Sequence, residues 1–405
     1  MYMTKGKIRL FFIITTTYLG MLSYYEGINQ LLSYLIIVVF MVFSSMNILG
    51  SFSKSEFRKL ISKQSLVLIL LAVIIIVQLV NSIEGELTIF DAMKVVIFPV
   101  SFFYSCILAP AFLVKNNYVN AFYKCLLFPG ICLSICTIII SLSTAFTYGS
   151  VNLTTLQTAQ FNVVHPVIDS NYQGAIAAIA CIICLFFIAV KKVNKLVYSF
   201  LFIVGLLNIV ILASRASLLA ILICTIISLF LYGSKKIRFL LLIIMIIVAL
   251  MYSFIKNSIY QNSIIYDNIF DADRGSTGRI EIWIEILQKS SQKLFTGYGN
   301  NLIEIKSLGP HVNLVSSHNS FIDFLAINGV FSLLIYSVIL FKGFIKSSST
   351  VIENPSFLLI ICILVIMNFT THNLGGISYI PQILGILLGL IVLHKKPQNI
   401  SRGNP

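Results

Sequence analysis

The sequence predicts an all-α polytopic membrane protein with about twelve transmembrane helices and one large, partly helical extracytoplasmic loop. Three observations predict this class: 58% of the 405 residues are hydrophobic, only 10% are charged, and nearly unbroken apolar runs recur along the chain. Soluble domains carry roughly 25% charged residues, so this composition cannot cover a water-facing surface. We expect a single integral membrane domain over residues 1–405, within which residues 256–319 form the large loop.

The spans follow from apolar windows close to the roughly 20 residues that cross a hydrocarbon core. These windows are 8–24, 31–49, 65–82, 95–114, 124–146, 173–190, 196–213, 216–232, 238–255, 320–341, 356–371 and 378–394. The first lacks a small-residue cleavage pattern after it, which predicts a helix that stays in the membrane. Twelve spans place both termini on the same side.

Charge assigns the two sides, because Lys and Arg near helix ends are retained in the cytoplasm. The termini and even-numbered loops hold 20 of the 28 basic residues, whereas the odd-numbered loops hold 12 of the 14 acidic ones. Both termini are therefore predicted to be cytoplasmic. The net charge of +14 then reflects orientation and contact with anionic membrane lipids, not nucleic-acid binding. Cys181 and Cys184 form a C-x-x-C pair within a span, where we interpret them as small apolar fillers.

The large loop carries a helical pattern from Gly278 to Lys293. Apolar residues recur at helical spacing, at Ile280, Trp283, Ile284 and Leu287, which predicts an amphipathic helix along the outer membrane surface. Arg279 lies one turn before Trp283 and shares its face. Two interpretations stay open: an interfacial aromatic anchor with a snorkelling Arg, or a fixed cation that holds an anionic head group.

Arg215 lies in the short turn that joins the spans at 196–213 and 216–232. Without this arginine, the two spans would form one apolar stretch of about 35 residues, longer than a single crossing needs. Removing a cation from water is costly unless it has an anionic partner. A basic residue in an outer turn also runs against the charge rule that the rest of the chain follows. These points favour a functional role for Arg215 over a simple turn-marking one.

His318 is expected at the water boundary before the span at 320–341, where Asn319 or Ser320 can cap the helix. The positive end of a helix favours a neutral, base-competent imidazole. A structural role for this residue stays open. Three further outer-loop histidines are alternatives, namely His165, His311 and His372. Asp271 and Asp273 form a D-x-D pair that we do not interpret as a metal site, because nucleotide sugars are not expected outside the cytoplasm; neither a metal nor a cofactor is predicted.

Several short motifs follow one another in a specific order. They are Ser214-Arg215-Ala-Ser, Thr277-Gly278-Arg279 leading to Trp283, Gly297-Tyr298-Gly299, His318-Asn319-Ser-Phe321 and Asn328-Gly329. With this order and spacing, residues 205–341 resemble the O-antigen ligase and polymerase superfamily of bacterial membrane proteins. Asn171, before the span at 173–190, is similar to the Asn-containing entry to that helix in the superfamily.

The resemblance implies a metal-independent glycosyltransferase with the type C fold, a multi-pass protein of the bacterial cytoplasmic (inner) membrane. It would transfer a glycan from an undecaprenyl-pyrophosphate donor to a sugar hydroxyl. Arg215 and Arg279 correspond to the family's paired outer arginines and would hold the pyrophosphate, and His318 would be the general base. The expected substrate-binding set is completed by Trp283, Tyr298, Asn319 and Asn171. The two aromatic residues would stack on sugar rings or sit among lipid head groups.

Three functions stay open at this point. O-antigen polymerases join lipid-linked repeat units, whereas ligases transfer the glycan to lipid A core. The motif Thr-Gly-Arg followed by Trp and then Gly-x-Gly is more similar to the motif of the polymerases than to that of the ligases. A flippase of the same lipid-linked sugar is disfavoured because the spans hold almost no ionisable residue away from their ends. Expected partners are the lipid-linked donor and acceptor, membrane lipids, a chain-length regulator and a flippase.

Overall fold

The computed structural model describes residues 4–24, 30–84, 97–147, 149, 151, 153–163, 169–190, 194–234, 279–298, 305–306, 313–314, 319–348, 354–368 and 378–393. The helices are α1 (Lys5–Leu19, followed by a 3₁₀ turn Gly20–Tyr24), α2 (Gln30–Leu49), α3 (Lys54–Lys63), α4 (Ser65–Glu84), α5 (Ile97–Lys115), α6 (Val119–Thr147), α7 (Leu153–Val163), α8 (Ser170–Val190), α9 (Lys195–Ile211), α10 (Arg215–Tyr232), α11 (Arg279–Ser290), α12 (Ser320–Ser348), α13 (Ser356–Met367) and α14 (Tyr379–Leu393). Two short strands, β1 (Ile305–Lys306) and β2 (Asn313–Leu314), pair antiparallel.

The described helices make this chain a multi-pass membrane protein. Among them, α2, α5, α6, α8, α10 and α12 are long and apolar enough to cross a bilayer, and α3 with α4, bent by 76°, is a seventh candidate. Helices α9, α13 and α14 are shorter and apolar. The predicted span 238–255 lies outside the described residues. The total of twelve spans and the type C fold stay predictions.

Two helices occur in segments that the sequence assigned to loops, α3 and α7. Helix α3 is short and polar, so a search for long apolar windows does not detect it. Its start is fixed by a capping box: Ser53 Oγ accepts from the Glu56 backbone N–H, and the Glu56 carboxylate accepts from the Ser53 N–H at 2.8 Å. Helices α6 and α12 extend beyond their predicted windows, and α12 contains a break at Gly329.

Side-chain contacts give the directions of the central helices. Thr137 on α6 donates to Gln173 at the start of α8 at 3.1 Å. Ser214, before α10, lies against Gly174 on α8. The starts of α8 and α10 therefore meet the later part of α6 at one end of the bundle, which we call the Arg215 end.

The hydroxyls of Tyr123 and Ser356 pair at the other end. Helix α13 therefore begins there and runs toward the Arg215 end, antiparallel to α10. We call this second end the lysine end, because Lys59, Lys63, Lys115 and Lys346 lie there.

Two prolines interrupt the helical hydrogen-bond ladder, and another helix repairs each interruption. A proline has no N–H, so it leaves the carbonyl four residues earlier without its usual donor. Pro110 frees the carbonyl of Cys106, which accepts from Gln64 Nε2 on the α3–α4 corner at 3.2 Å. Pro129 frees the carbonyl of Cys125, which accepts from the Tyr18 hydroxyl on α1. In a bilayer such repair is required, since no water is present to donate a hydrogen bond to the freed carbonyls.

Helix α5 widens into a π-helical turn at Tyr104–Leu108, just before Pro110, and α14 packs against this turn. Gly385 and Gly389 form a G-x-x-x-G pair on the face of α14 in contact with it. A side chain at Gly385 would meet Ser105, and one at Gly389 would meet the Cys106 carbonyl and Pro110. Small residues at this spacing let two membrane helices approach closely.

We expect Gly389→Ala to destabilise the protein by about 1–3 kcal/mol, because the added methyl group would overpack a rigid backbone contact. The measurement is the apparent unfolding temperature of the purified protein in detergent. Gly343→Ala is the matched control: its added Cβ would meet only the end of the Leu388 side chain, which can move. Equal unfolding temperatures for the two variants would contradict the proposed packing.

Candidate functional site

Arg215 stands at a tight turn between α9 and α10. Ala213 adopts a left-handed conformation with φ 51°, which costs a non-glycine residue roughly 1–2 kcal/mol. Ser214 is buried and its hydroxyl donates to Ser217 at 3.0 Å. Gly174 on α8 lies so close to Ser214 that a Cβ there would overlap it. The packing of α8 therefore fixes the turn and the backbone position of Arg215.

The Arg215 side chain is partly buried and makes no hydrogen bond or ion pair with the part of the chain that the structure describes. Arg215 is also the first residue of α10, and the first turn of this helix contains no acidic residue. The N-terminus of a helix carries a partial positive charge and unsatisfied N–H groups. The helix and the guanidinium are therefore positive at the same place, which favours an anionic ligand.

Helix α13 brings the start of α12 close to this turn. The Cys224 thiol donates to the Leu358 carbonyl at 3.3 Å, which aligns α10 with the antiparallel α13. Arg215 precedes Cys224 by nine residues and Met367 follows Leu358 by nine, about 13–14 Å along each helix at 1.5 Å per residue. Arg215 thus lies level with the end of α13.

Asn368 follows directly after Met367, the last residue of α13. Its Oδ1 accepts a hydrogen bond from Asn319 Nδ2 at 3.5 Å. Asn319 caps α12, as the sequence predicted. Its Oδ1 accepts from the backbone N–H groups of Phe321 at 3.0 Å and Ile322 at 3.3 Å, and its side chain is buried. These contacts give Asn319 a structural role in addition to any contact with substrate. His318 precedes it directly but lies outside the described residues.

The helix predicted between Gly278 and Lys293 is present as α11, followed by a 3₁₀ turn Ser291–Lys293. The face of α11 that packs on the protein differs from the predicted apolar face, whose contact with the membrane surface stays a prediction. Ile282 and Ile286 pack against Ile322 and Ala326 on α12, whereas Ile284 and Leu287 are exposed. Isoleucine occupies every second position from 280 to 286, so apolar side chains point in several directions and the position of α12 decides which of them are buried.

The segment Leu294–Tyr298 inserts into the break of α12, an arrangement that we call the glycine clasp. In an unbroken helix the N–H of Val330 would donate to the carbonyl of Ala326. Here the Val330 N–H donates to the Leu294 carbonyl, and the Ala326 carbonyl accepts from the Tyr298 N–H, both at 2.8 Å. The clasp joins the predicted Gly297-Tyr298 and Asn328-Gly329 motifs through backbone hydrogen bonds.

Two amide side chains of α4 hold the clasp, and the sequence analysis did not identify them. Gln78 Nε2 donates to Asn328 Oδ1 at 3.0 Å, and Asn81 Nδ2 donates to the Thr296 carbonyl at 3.1 Å. Both residues are buried. A signal was present, because Gln78 and Asn81 are amides within or next to an otherwise apolar window. Their partners are more than 200 residues away, which the sequence does not reveal.

A neutral polar side chain of α7 contacts the end of α9, just before the Arg215 turn. Gln157 on α7 donates to the Val210 carbonyl at 3.1 Å, five residues before Arg215. Gln160, one turn further along α7, and Ser141 on α6 are buried. Gln160 Nε2 and Ser141 Oγ have no hydrogen-bond partner within the described ranges. Such groups are costly in an apolar interior.

The other predicted site residues are partly described. Tyr298 donates its hydroxyl to the Lys289 carbonyl at 2.8 Å, and Lys293 Nζ lies 5.7 Å from the centre of its ring, which favours a structural role. Trp283 is partly exposed on α11. Asn171, in the first turn of α8, donates its backbone N–H to Asp169 Oδ1 at 2.7 Å. Arg279 is the first residue of α11.

Several predicted groups lie outside the described residues. They are the side chain of Arg279, His318, the alternative histidines His165, His311 and His372, and the pair Asp271 and Asp273. The meeting of Arg215, Arg279 and His318 in one pocket therefore stays a prediction. The described helices bring Arg215 level with the end of α13 and join that end to Asn319, and α11 packs on α12.

A protein-family model matches the part of the chain that contains the Arg215 turn. Residues 200–337 match the O-antigen ligase family. This match confirms the predicted resemblance, and its bounds include the Arg215 turn, α11, the glycine clasp and the first half of α12. No curated protein matches the chain. O-antigen ligase family members are glycosyltransferase-like enzymes of polysaccharide biosynthesis.

We expect Gly329→Ala to open the glycine clasp. Gly329 has φ 74° and ψ 173°, a conformation that side chains rarely adopt, and an added Cβ would overlap the Phe295 carbonyl. The cost should be about 2–3 kcal/mol, measured as a lower apparent unfolding temperature in detergent. Gly50→Ala is the control, because its nearest contact would be an ordinary 3.7 Å. A Gly329→Ala protein as stable as this control would contradict the clasp.

Proposed function

We propose that this protein is an O-antigen or related surface polysaccharide polymerase, which joins undecaprenyl-pyrophosphate-linked repeat units on the outer side of the cytoplasmic membrane. One observation carries the proposal. Arg215 is a partly buried cation at a helix N-terminus without a partner in the described parts of the chain, within the segment that matches the O-antigen ligase family.

The transfer forms one bond and breaks another. The acceptor hydroxyl oxygen attacks the anomeric carbon of the donor sugar, and the bond from that carbon to the pyrophosphate oxygen breaks. Undecaprenyl pyrophosphate leaves with the electron pair. Arg215 and the N-terminus of α10 stabilise the negative charge that develops on the leaving group, and Arg279 supplies the second cation. Because arginine stays charged at any physiological pH, this role needs no metal.

His318 accepts the proton of the acceptor hydroxyl in this proposal. It immediately precedes Asn319, whose side chain caps α12, and the N-terminus of a helix favours a neutral imidazole. General-base catalysis of this kind contributes about 10²- to 10⁴-fold to a rate.

A ligase is the second candidate, and the description of the matching family as O-antigen ligase favours it. The same residues would act on the same donor, since only the acceptor differs. A ligase transfers the finished glycan to lipid A core, whereas a polymerase extends it on the lipid carrier. The assay below distinguishes the two.

We expect Arg215→Ala, Arg279→Ala and His318→Ala each to abolish glycan elongation, because each removes charge stabilisation or proton transfer. The measurement is the polysaccharide ladder from a deletion strain complemented with each variant. Loss of all bands above one repeat unit indicates a polymerase, and loss of all glycan-capped lipid indicates a ligase or a flippase. Arg215→Lys and Arg279→Lys should also fail, since lysine cannot form the bidentate contact with phosphate oxygens.

Arg58→Ala is the matched control, because Arg58 is an exposed arginine on α3 at the lysine end. It should give a normal ladder. The amount of each variant in the membrane fraction must equal that of the wild type. A full ladder from the Arg215, Arg279 and His318 triple variant would disprove the catalytic role, and wild-type activity in both lysine variants would disprove bidentate binding.

A further inference from the structure

A second cationic site lies at the lysine end, away from the proposed active site. It is an open cleft lined by Phe52, Glu56, Lys59, Leu60, Lys63, Ala111, Val114, Lys115 and Leu393. The lining comes from α3, from Phe52 two residues before it, from the end of α5 and from the end of α14. Helix α5, about 28 Å long at 1.5 Å per residue, separates this cleft from the Arg215 end.

The charges of this cleft are unbalanced. Lys115 binds the Glu56 carboxylate at 2.8 Å and lies 5.0 Å from the centre of the Phe52 ring. Its hydrogen bond lowers the pKa of Glu56 to about 2, so Glu56 stays an anion that is already bound. Lys59 and Lys63 are exposed, and their ammonium groups make no hydrogen bond or ion pair within the described residues.

Lys59 and Lys63 are four residues apart on α3, where like charges destabilise a helix. Lys346 on α12 adds to this repulsion, because its ammonium group lies close enough to Lys63 to interact with it electrostatically. Lys346 itself donates to the Val392 carbonyl at the end of α14 at 2.6 Å. An anion placed between Lys59 and Lys63 would relieve the repulsion among these cations.

The rest of the lining is apolar. Leu60 on α3, Val114 on α5 and Leu393 on α14 are apolar parts of this lining. Helix α3 is amphipathic and lies at 76° to α4, as expected for a helix in the plane of the membrane surface. A free phosphate ion would contact only the lysines, whereas a phospholipid would contact the lysines with its head group and the apolar lining with an acyl chain. Basic pockets between membrane helices commonly bind anionic lipid head groups.

We propose that this cleft is a specific site for an anionic phospholipid. Lys59 and Lys63 bind the phosphate of the head group, and an acyl chain lies along Val114 and Leu393. The bound lipid holds α3 against the ends of α5 and α14. This inference does not depend on the proposed glycosyl transfer, so either can fail without the other.

The test is the apparent unfolding temperature of the full-length protein in a neutral detergent, with added phosphatidylglycerol, phosphatidylcholine or inorganic phosphate. A ligand that binds the folded state raises this temperature. Phosphatidylglycerol should stabilise the wild type more than the other two. Lys59→Gln/Lys63→Gln should weaken the apparent affinity for phosphatidylglycerol roughly 25-fold, equivalent to about 2 kcal/mol at 1.4 kcal/mol per tenfold.

The matched control Lys54→Gln/Arg58→Gln removes two charges from the same helix without altering the cleft lining, and its response should equal that of the wild type. Lys59→Arg/Lys63→Arg should keep the response. Equal stabilisation by phosphatidylcholine, or an unchanged response in Lys59→Gln/Lys63→Gln, would overturn the proposal. If inorganic phosphate stabilised the protein as much as phosphatidylglycerol, the cleft would be a site for a free anion, and the proposal of a lipid would be overturned.

Native mass spectrometry of the wild-type protein is a second measurement that needs no variant. Phosphatidylglycerol adducts should survive collisional activation that removes phosphatidylcholine adducts. Equal retention of the two lipids would overturn the proposed selectivity even if the glutamine variant did not fold.

Discussion

The absence of water in the hydrocarbon core governs this structure, because every backbone N–H and C=O there must find a partner in the protein. Each described interruption of a helix is accordingly closed by another segment. Gln64 reaches the carbonyl freed by Pro110, and Tyr18 reaches the one freed by Pro129. The break at Gly329 is closed by backbone groups of Leu294 and Tyr298. These repairs connect helices that are far apart in sequence and thereby define the arrangement of the bundle.

Because polar groups in a membrane protein need partners, the described polar groups that have none are informative. Arg215 is partly buried and has no partner in the described residues, although a cation near the membrane is costly unless it is paired or hydrated. It also stands at the positive end of α10. Gln160 on α7 and Ser141 on α6 have buried polar atoms without partners within the described ranges. A partly buried cation at the positive end of a helix favours an anionic ligand.

Cations at the two ends of the molecule have different surroundings. At the Arg215 end, a fixed turn and close packing against Gly174 hold a single arginine in place. At the lysine end, exposed lysines on an amphipathic helix border an apolar wall. The first arrangement suits tight binding of a developing charge, and the second suits a lipid that exchanges with the bilayer. Net charge alone does not distinguish these roles.

The sequence by itself determined the membrane class and the positions of the six described helices that are long and apolar enough to cross a bilayer. It also limited the cap of α12 to Asn319 or Ser320 and showed the resemblance over residues 205–341, because long apolar windows and short polar motifs are local signals. It did not detect α3 or α7, and it did not identify the face of α11 that packs on the protein, since Ile282 and Ile286 are buried only because α12 lies beside them. Only the tertiary structure decided how Gln78 and Asn81 support the glycine clasp and how α13 connects the Arg215 turn to the start of α12. These contacts join residues dozens to hundreds of positions apart, and their geometry depends on helix packing that local sequence does not encode.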